Sequence, residues 1–201
     1  MKKLLIIFVK NPEIGKVKTR LAKSIGDKRA LNVYLNLLIH TQVVTDKLEE
    51  IDRAVYYSGF IDEEDQWDAD TYQKFLQQGD GLGERMSNAF RRAFQSGYES
   101  VCLIGTDLYD LSVDLINTAF KKLESSDVVV GPAKDGGYYL IGMKQLHDVF
   151  DLSHWSTPNV FSETMKLIDK NGLTCSQTKL LNDIDILEDL KGTDLERLTG
   201  L

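Results

Sequence analysis

One short run constrains the fold more than any other: Val101-Cys102-Leu103-Ile104, apolar without interruption and stopped at once by Gly105-Thr106-Asp107. A strand with one wet face alternates apolar and polar side chains. An unbroken apolar run of this length reads instead as a strand buried on both faces, the kind found in parallel sheets covered by helices on each side. Lys3 to Val9 repeats the signature, as does Asp127 to Gly131 around Val128-Val129-Val130, and helical patterns separate the three. The chain therefore reads as α/β with a mostly parallel central sheet. In such sheets ligands collect outside the carboxyl ends of the strands, which makes Asp107 the first site candidate. A plain turn toward the next helix is the alternative, because Asp and Thr are common turn and cap residues.

A length of 201 residues fits one domain. No apolar run is long enough to span a bilayer, and Met-Lys-Lys leads straight into a strand, so the expectation is a soluble, cytoplasmic protein without a membrane partner. Cys102 and Cys175 lie in apolar or strand-like segments without CxxC spacing and read as buried thiols. A net charge of −7 disfavours nucleic-acid binding, so an anionic substrate needs a local cluster of cations or a metal.

Such a cluster follows the first strand. Lys10, Lys16, Lys18 and Arg20 fall within Lys10 to Leu21, where Pro12 and Gly15 break regular structure. Strand, loop and helix in this order direct backbone N–H groups at phosphate, although the GxxxxGK[ST] spacing is absent. A long helix is expected over Asp27 to Glu50, with Leu31, Tyr34, Leu35 and Leu38 on its buried face and Val33, Leu37 and Val44 widening it, and strands over Arg53 to Tyr57 and Gln73 to Gln77. Gln78 to Arg85 then places three glycines before a helix. Asp80 and Gly81 there form either a ligand wall or a capped turn. Helices are expected over Val113 to Leu123 and from about Asn159 to Asn171, the latter capped by Ser156 or Thr157, with an edge strand near Leu173 to Thr178. Lys134-Asp135-Gly136-Gly137 precedes an apolar strand, and its missing side chains let a flat or phosphorylated ligand approach the backbone; a simple hairpin turn is the bland reading. Asp183-Ile184-Asp185 sets two acids before a terminal helix, and the three histidines are scattered at no ligand spacing.

Taken in order, these motifs resemble the nucleotide-diphospho-sugar transferase superfamily, the GT-A fold. The closer resemblance is to the glycosyltransferase-like family described as radical-SAM/selenodomain-associated transferases, a relative of the molybdenum-cofactor guanylyltransferases. It rests on Phe8 to Pro12, Gly15 with Lys18 to Leu21, Gln78 to Arg85, Gly105 to Asp107, Gly131 to Ala133 with Asp135 to Leu140, Trp155 to Thr157, and Asp183 to Asp185 with Glu188 to Leu190. The resemblance implies a three-layer α/β/α sandwich around a mostly parallel mixed sheet. It gives Lys18 and Arg20 to nucleotide phosphates and makes Asp107 and Asp185 ligands of Mg²⁺ or Mn²⁺. Asp135 becomes the group that orients an acceptor hydroxyl or takes its proton. Leu108-Tyr109 depart from the family pattern, which carries a Pro two residues after the first acid. The implied activity is glycosyl transfer from a nucleotide sugar to an unknown acceptor. Nucleotidylyl transfer from a nucleoside triphosphate and a non-catalytic nucleotide-binding module stand as alternatives.

Overall fold

The computed structural model describes residues 1–200. Seven strands form one sheet in the order β3-β2-β1-β4-β6-β5-β7: β1 Lys3–Val9, β2 Ile51–Tyr57, β3 Tyr72–Leu76, β4 Ser100–Ile104, β5 Val128–Pro132, β6 Tyr138–Met143 and β7 Cys175–Gln177. Strands β3, β2, β1 and β4 run parallel, as do β5 and β7; only β6 is antiparallel to its two neighbours, β4 and β5. The apolar run that defined the reading is the middle strand of the seven, and all five of its residues are buried.

The strands alternate in what they feed. Leu5, Ile7, Val55, Cys102, Ile104 and Val129 pack on one face with α2 (Asp27–Thr45) and α4 (Val113–Leu123). Leu4, Ile6, Ala54, Val101, Leu103 and Val130 pack on the other with α3 (Leu82–Gln95) and α5 (Val160–Lys170). Helices thus cover both faces, the three-layer arrangement expected of strands apolar on both sides. Among the described residues no helix is long and apolar enough to cross a membrane.

A third, smaller cluster positions the site. Leu21 and Ile25 of α1 (Thr19–Ile25) join Ala30, Val33 and Leu37 of α2 in holding Ile184, Leu190 and Leu195 from the C-terminal segment. That segment contains two short 3-10 helices, Leu187–Leu190 and Asp194–Thr199, where one terminal helix was expected. Two further expectations are corrected. The long helix stops at Thr45, and Leu35 points outward, because the buried stripe runs through Val33, Tyr34, Leu37, Leu38 and Thr41. Helix α5 begins at Val160 with Asn159 in the cap position and no side-chain cap, and neither Ser156 nor Thr157 performs that task.

Candidate active site

The loop after β1 is pinned from two sides. Asn11, almost wholly buried, donates through Nδ2 to the Phe60 carbonyl at 2.9 Å, and its Oδ1 accepts from the Gly59 amide at 2.9 Å. The Tyr34 hydroxyl accepts from the Lys10 amide at 3.0 Å and donates to the Lys10 carbonyl at 2.9 Å. Burial pushes that hydroxyl's pKa far up, so it stays protonated and keeps its donor role. The loop then enters α1 through Lys18, whose φ of 48° is left-handed. A residue with a Cβ adopts this region at a cost of roughly 1–2 kcal/mol, so something must hold it there.

Two ion pairs do. The Lys18 ammonium, on a side chain only 2% exposed, lies 2.6 Å from Asp107 and 3.4 Å from Asp185. Arg20 reaches the second oxygen of Asp185 at 3.4 Å from the solvent side. Acids nearly eighty residues apart in sequence are thus joined by one buried cation. The tether of the C-terminal segment explains the convergence: the Ile184 amide donates to the Asp107 carbonyl at 2.9 Å, and Leu108 and Asp183 form an isolated antiparallel bridge. Leu108, where the sequence departs from the family pattern, is buried in making that bridge. The Asp189 carboxylate accepts from the Asp185 and Ile186 amides at 2.9 Å each, fixing the Asp185 backbone.

These groups line a cleft of about 370 Å³ whose walls include Lys10, Lys16, Lys18, Arg20, Asp107, Asp135 and Asp185. Tyr34, Ser156 and Thr157 also line it, none of which was singled out as a site residue. Ser156 is, with Lys18, one of three non-glycine residues in the left-handed region among the described residues. Lys16 pairs with Glu13 at 2.7 Å near the rim. Gly15 sits in the same loop at φ 75° and supplies a turn. Asp80 and Gly81 are not among the cleft's lining residues; Gly81 starts α3 in an extended conformation, and the Glu84 carboxylate accepts from the Asp80 amide at 2.8 Å. Both therefore belong to a strand-to-helix turn. Asp135 accepts from the Gly137 amide at 2.8 Å, so the turn reading also holds at that loop, yet its carboxylate still lines the cleft.

Asp183 is the residue that sequence reasoning passed over. Its carboxyl is pushed up to about 7, first by burial and then by the nearby charges of Asp107 and Asp135. The clue was available, since residues i and i+2 of an extended segment share a face and Asp183 and Asp185 are so spaced. A raised acid favours the folded state while it is protonated. The stability it contributes is lost as pH rises from the unfolded value near ~4 through the folded value, and stays lost above it. Asp183→Asn should therefore gain stability over the parent at pH 8 and little at pH 4, by about 2 kcal/mol after allowing for partial solvent screening. Thermal melts at the two pH values check this, and a pH-independent difference would contradict it.

The donor set consists of hard carboxylate oxygens, which suit Mg²⁺ or Mn²⁺. Among the described residues no three acid, histidine or cysteine side chains close around one metal position. Asp107 and Asp185 each turn a carboxylate oxygen toward the Lys18 ammonium, and both line the cleft.

Residues 41–157 match a family described as an uncharacterized protein conserved in bacteria, DUF2064. The chain belongs to that family. The span matched to DUF2064 contains Asp107, Asp135, Ser156 and Thr157. A crystal structure from Desulfovibrio desulfuricans G20, provisionally named a nucleotide-diphospho-sugar transferase, superposes with a TM-score of 0.87 at 30% identity, over 98% of this chain and 93% of its own. More distant structures share the fold of this DUF2064 protein. They include an inositol-1-phosphate CTP transferase from T. maritima, with TM-score 0.56 and 13% identity over 98% and 95% of the two chains. A CMP:2-keto-3-deoxy-manno-octonic acid synthetase complexed with CTP has TM-score 0.58 and 10% identity over 100% of each chain. No curated protein sequence matches.

Proposed function

We propose that this protein is a metal-dependent transferase acting on a nucleotide-activated donor, with glycosyl transfer from a nucleotide sugar as the leading reaction. The observation that carries the reading is the Lys18 ammonium seated between Asp107 and Asp185 at the mouth of a basic loop, at the carboxyl edge of the sheet. Lys18 and Arg20 would hold the donor phosphates, Arg20 by a forked pair of hydrogen bonds and Lys18 as a point charge. Asp107 and Asp185 would hold Mg²⁺ or Mn²⁺, which when bound neutralises phosphate charge and the charge that develops on the leaving group. Asp135, which lines the same cleft, would orient an acceptor hydroxyl or take its proton. The resemblance to radical-SAM/selenodomain-associated transferases supports this assignment, as does the name of the D. desulfuricans structure.

One observation favours a second reading. Four cations line the cleft, enough to meet a triphosphate once a metal has taken up the carboxylates, and of the distant structures named above one is called a CTP transferase and the other is complexed with CTP. Nucleotidylyl transfer from a triphosphate would use the same residues. A thermal-shift panel of nucleotide sugars and nucleoside triphosphates, each with and without Mg²⁺ or Mn²⁺, separates the classes. A ligand at about 100 times its dissociation constant adds roughly 2.7 kcal/mol, on the order of 5–11 °C for a domain of this size. Nucleotide sugars with metal are expected to give the largest shift and to release nucleoside diphosphate. Pyrophosphate release from a triphosphate would transfer the assignment to nucleotidylyl transfer. Binding without turnover would leave a nucleotide-binding module, and a panel with no shift at all would remove the common premise.

A further inference from the structure

Beside the phosphate cleft lies a second cavity, of about 210 Å³, that shares Asp135, Ser156 and Thr157 with it. Its walls are of a different kind. Phe8, Leu82, Met86, Leu103, Tyr138 and Trp155 supply most of them, and the ionisable side chains that reach it, tyrosines aside, are Asp135 and Asp183. No lysine, arginine or histidine lines it; the cations of the site all face the cleft.

The chamber is built rather than incidental. Gly83, in the first turn of α3, has no room for a Cβ, which would come within 2.7 Å of the Trp155 ring and 2.5 Å of the Phe150 carbonyl. The glycine therefore lets the indole seat directly on the helix. Tyr138 meets that indole edge to face, with centroids 6.5 Å apart and planes at 79°. Trp155 is held as a wall from two directions, and Met86 and Leu103 beneath are buried.

We propose that this chamber seats the acceptor, and that the acceptor is a neutral or cationic molecule with a flat apolar body about the size of one aromatic ring, not a phosphorylated or carboxylated one. The proposal rests on the donor reading above, which fills the cleft with nucleotide phosphates and leaves the chamber for the second substrate. An anion entering it would meet the Asp135 carboxylate, the buried Asp183 carboxyl and no cation in a partly dehydrated space, where like charges repel strongly. A molecule with a hydroxyl on every carbon would lose its hydrogen bonds to water against aromatic and aliphatic walls. A ring with a short polar arm loses little and gains the aromatic contacts. Its polar end would face Asp135, where chamber and cleft meet.

The test uses four probes that separate charge from shape: tyramine (cationic), tyrosol (neutral), 4-hydroxyphenylacetate (anionic) and methyl glucoside. Tyramine, tyrosol and 4-hydroxyphenylacetate share a ring and a two-carbon arm. Dissociation constants come from amide chemical-shift titrations of the protein without nucleotide. Tyramine and tyrosol should bind, 4-hydroxyphenylacetate at least tenfold more weakly, and methyl glucoside more weakly still, with shifts centred on Met86, Tyr138 and Trp155. Leu82→Lys adds a cation at the chamber rim on a side chain that is already solvent-exposed. It should narrow or invert the preference for tyramine over 4-hydroxyphenylacetate. Tighter binding of the anion or the glucoside by the parent, no response to Leu82→Lys, or no binding of any probe would each overturn the proposal. The nucleotide thermal-shift panel is read separately, so a protein that takes nucleotides but no chamber probe loses only this inference. One that takes probes but no nucleotide loses the donor reading on which the word acceptor depends.

Discussion

Replacing Lys18 by Met is expected to lower turnover of the donor nucleotide by roughly 10²–10³-fold, the scale of losing one preorganised group that meets developing charge. The fold should survive. Asp107 and Asp185 are 40% and 34% exposed, so water screens the pair once the ammonium is gone, and the stability cost should stay near about 1–2 kcal/mol. Lys18→Arg should not rescue activity. The ammonium occupies a seat 2.6 Å from Asp107 on a side chain that is 2% exposed, and a planar guanidinium does not fit a space shaped for a point charge. The Met variant should also take up Mn²⁺ without nucleotide more tightly than the parent, because two carboxylates then face each other with no cation between them. Steady-state assays with the best nucleotide of the panel, together with manganese titrations, check both parts. A variant that turns over within about threefold of the parent would remove Lys18 from the chemistry.

Much of this arrangement could be read from the sequence, for identifiable reasons. Strands β1, β4 and β5 announced themselves because both of their faces are buried, which leaves no polar residue to blur the run. Helix α4 matched from end to end because Ser112 caps it, accepting from the Leu115 amide, and five of its residues alone form the buried stripe. Asp107 followed from strand polarity alone. What lay hidden depended on distant contacts. Helix α1 has seven residues and begins at a left-handed lysine, so no local signal marks it; the packing of Leu21 and Ile25 on the C-terminal segment makes it a helix. The antiparallel direction of β6 is set by its insertion between β4 and β5, information that no stretch of β6 carries. The choice of Asp185 over Asp183 followed family position, whereas the extended backbone brings both acids to the site. Tyr34 was read as an apolar face residue, and only the fold reveals that its hydroxyl braces the basic loop after β1.

Gly136→Ala should be the most destabilising small substitution in the site, and the reason is contact more than backbone preference. Gly136 has φ 89°, and a Cβ there would lie 2.0 Å from the Pro158 carbonyl oxygen. The two loops are also tied at that point, since the Phe161 amide donates to the Gly136 carbonyl at 2.9 Å. An alanine therefore has to drive the Ser156-Thr157-Pro158 segment away from Asp135, at a cost of about 3 kcal/mol or more, or roughly 6–12 °C in melting temperature. The displaced segment forms a wall of both cavities, so nucleotide stabilisation should fall along with the melt. Gly97 provides the control. Its φ of 85° is nearly the same, but a Cβ there would meet nothing within 4 Å, so Gly97→Ala carries the backbone strain alone, about 1 kcal/mol. Equal losses in the two variants would mean that the loops do not touch as described. A loss confined to Gly136, with weaker nucleotide binding, would show that this glycine holds in place the wall shared by the two cavities.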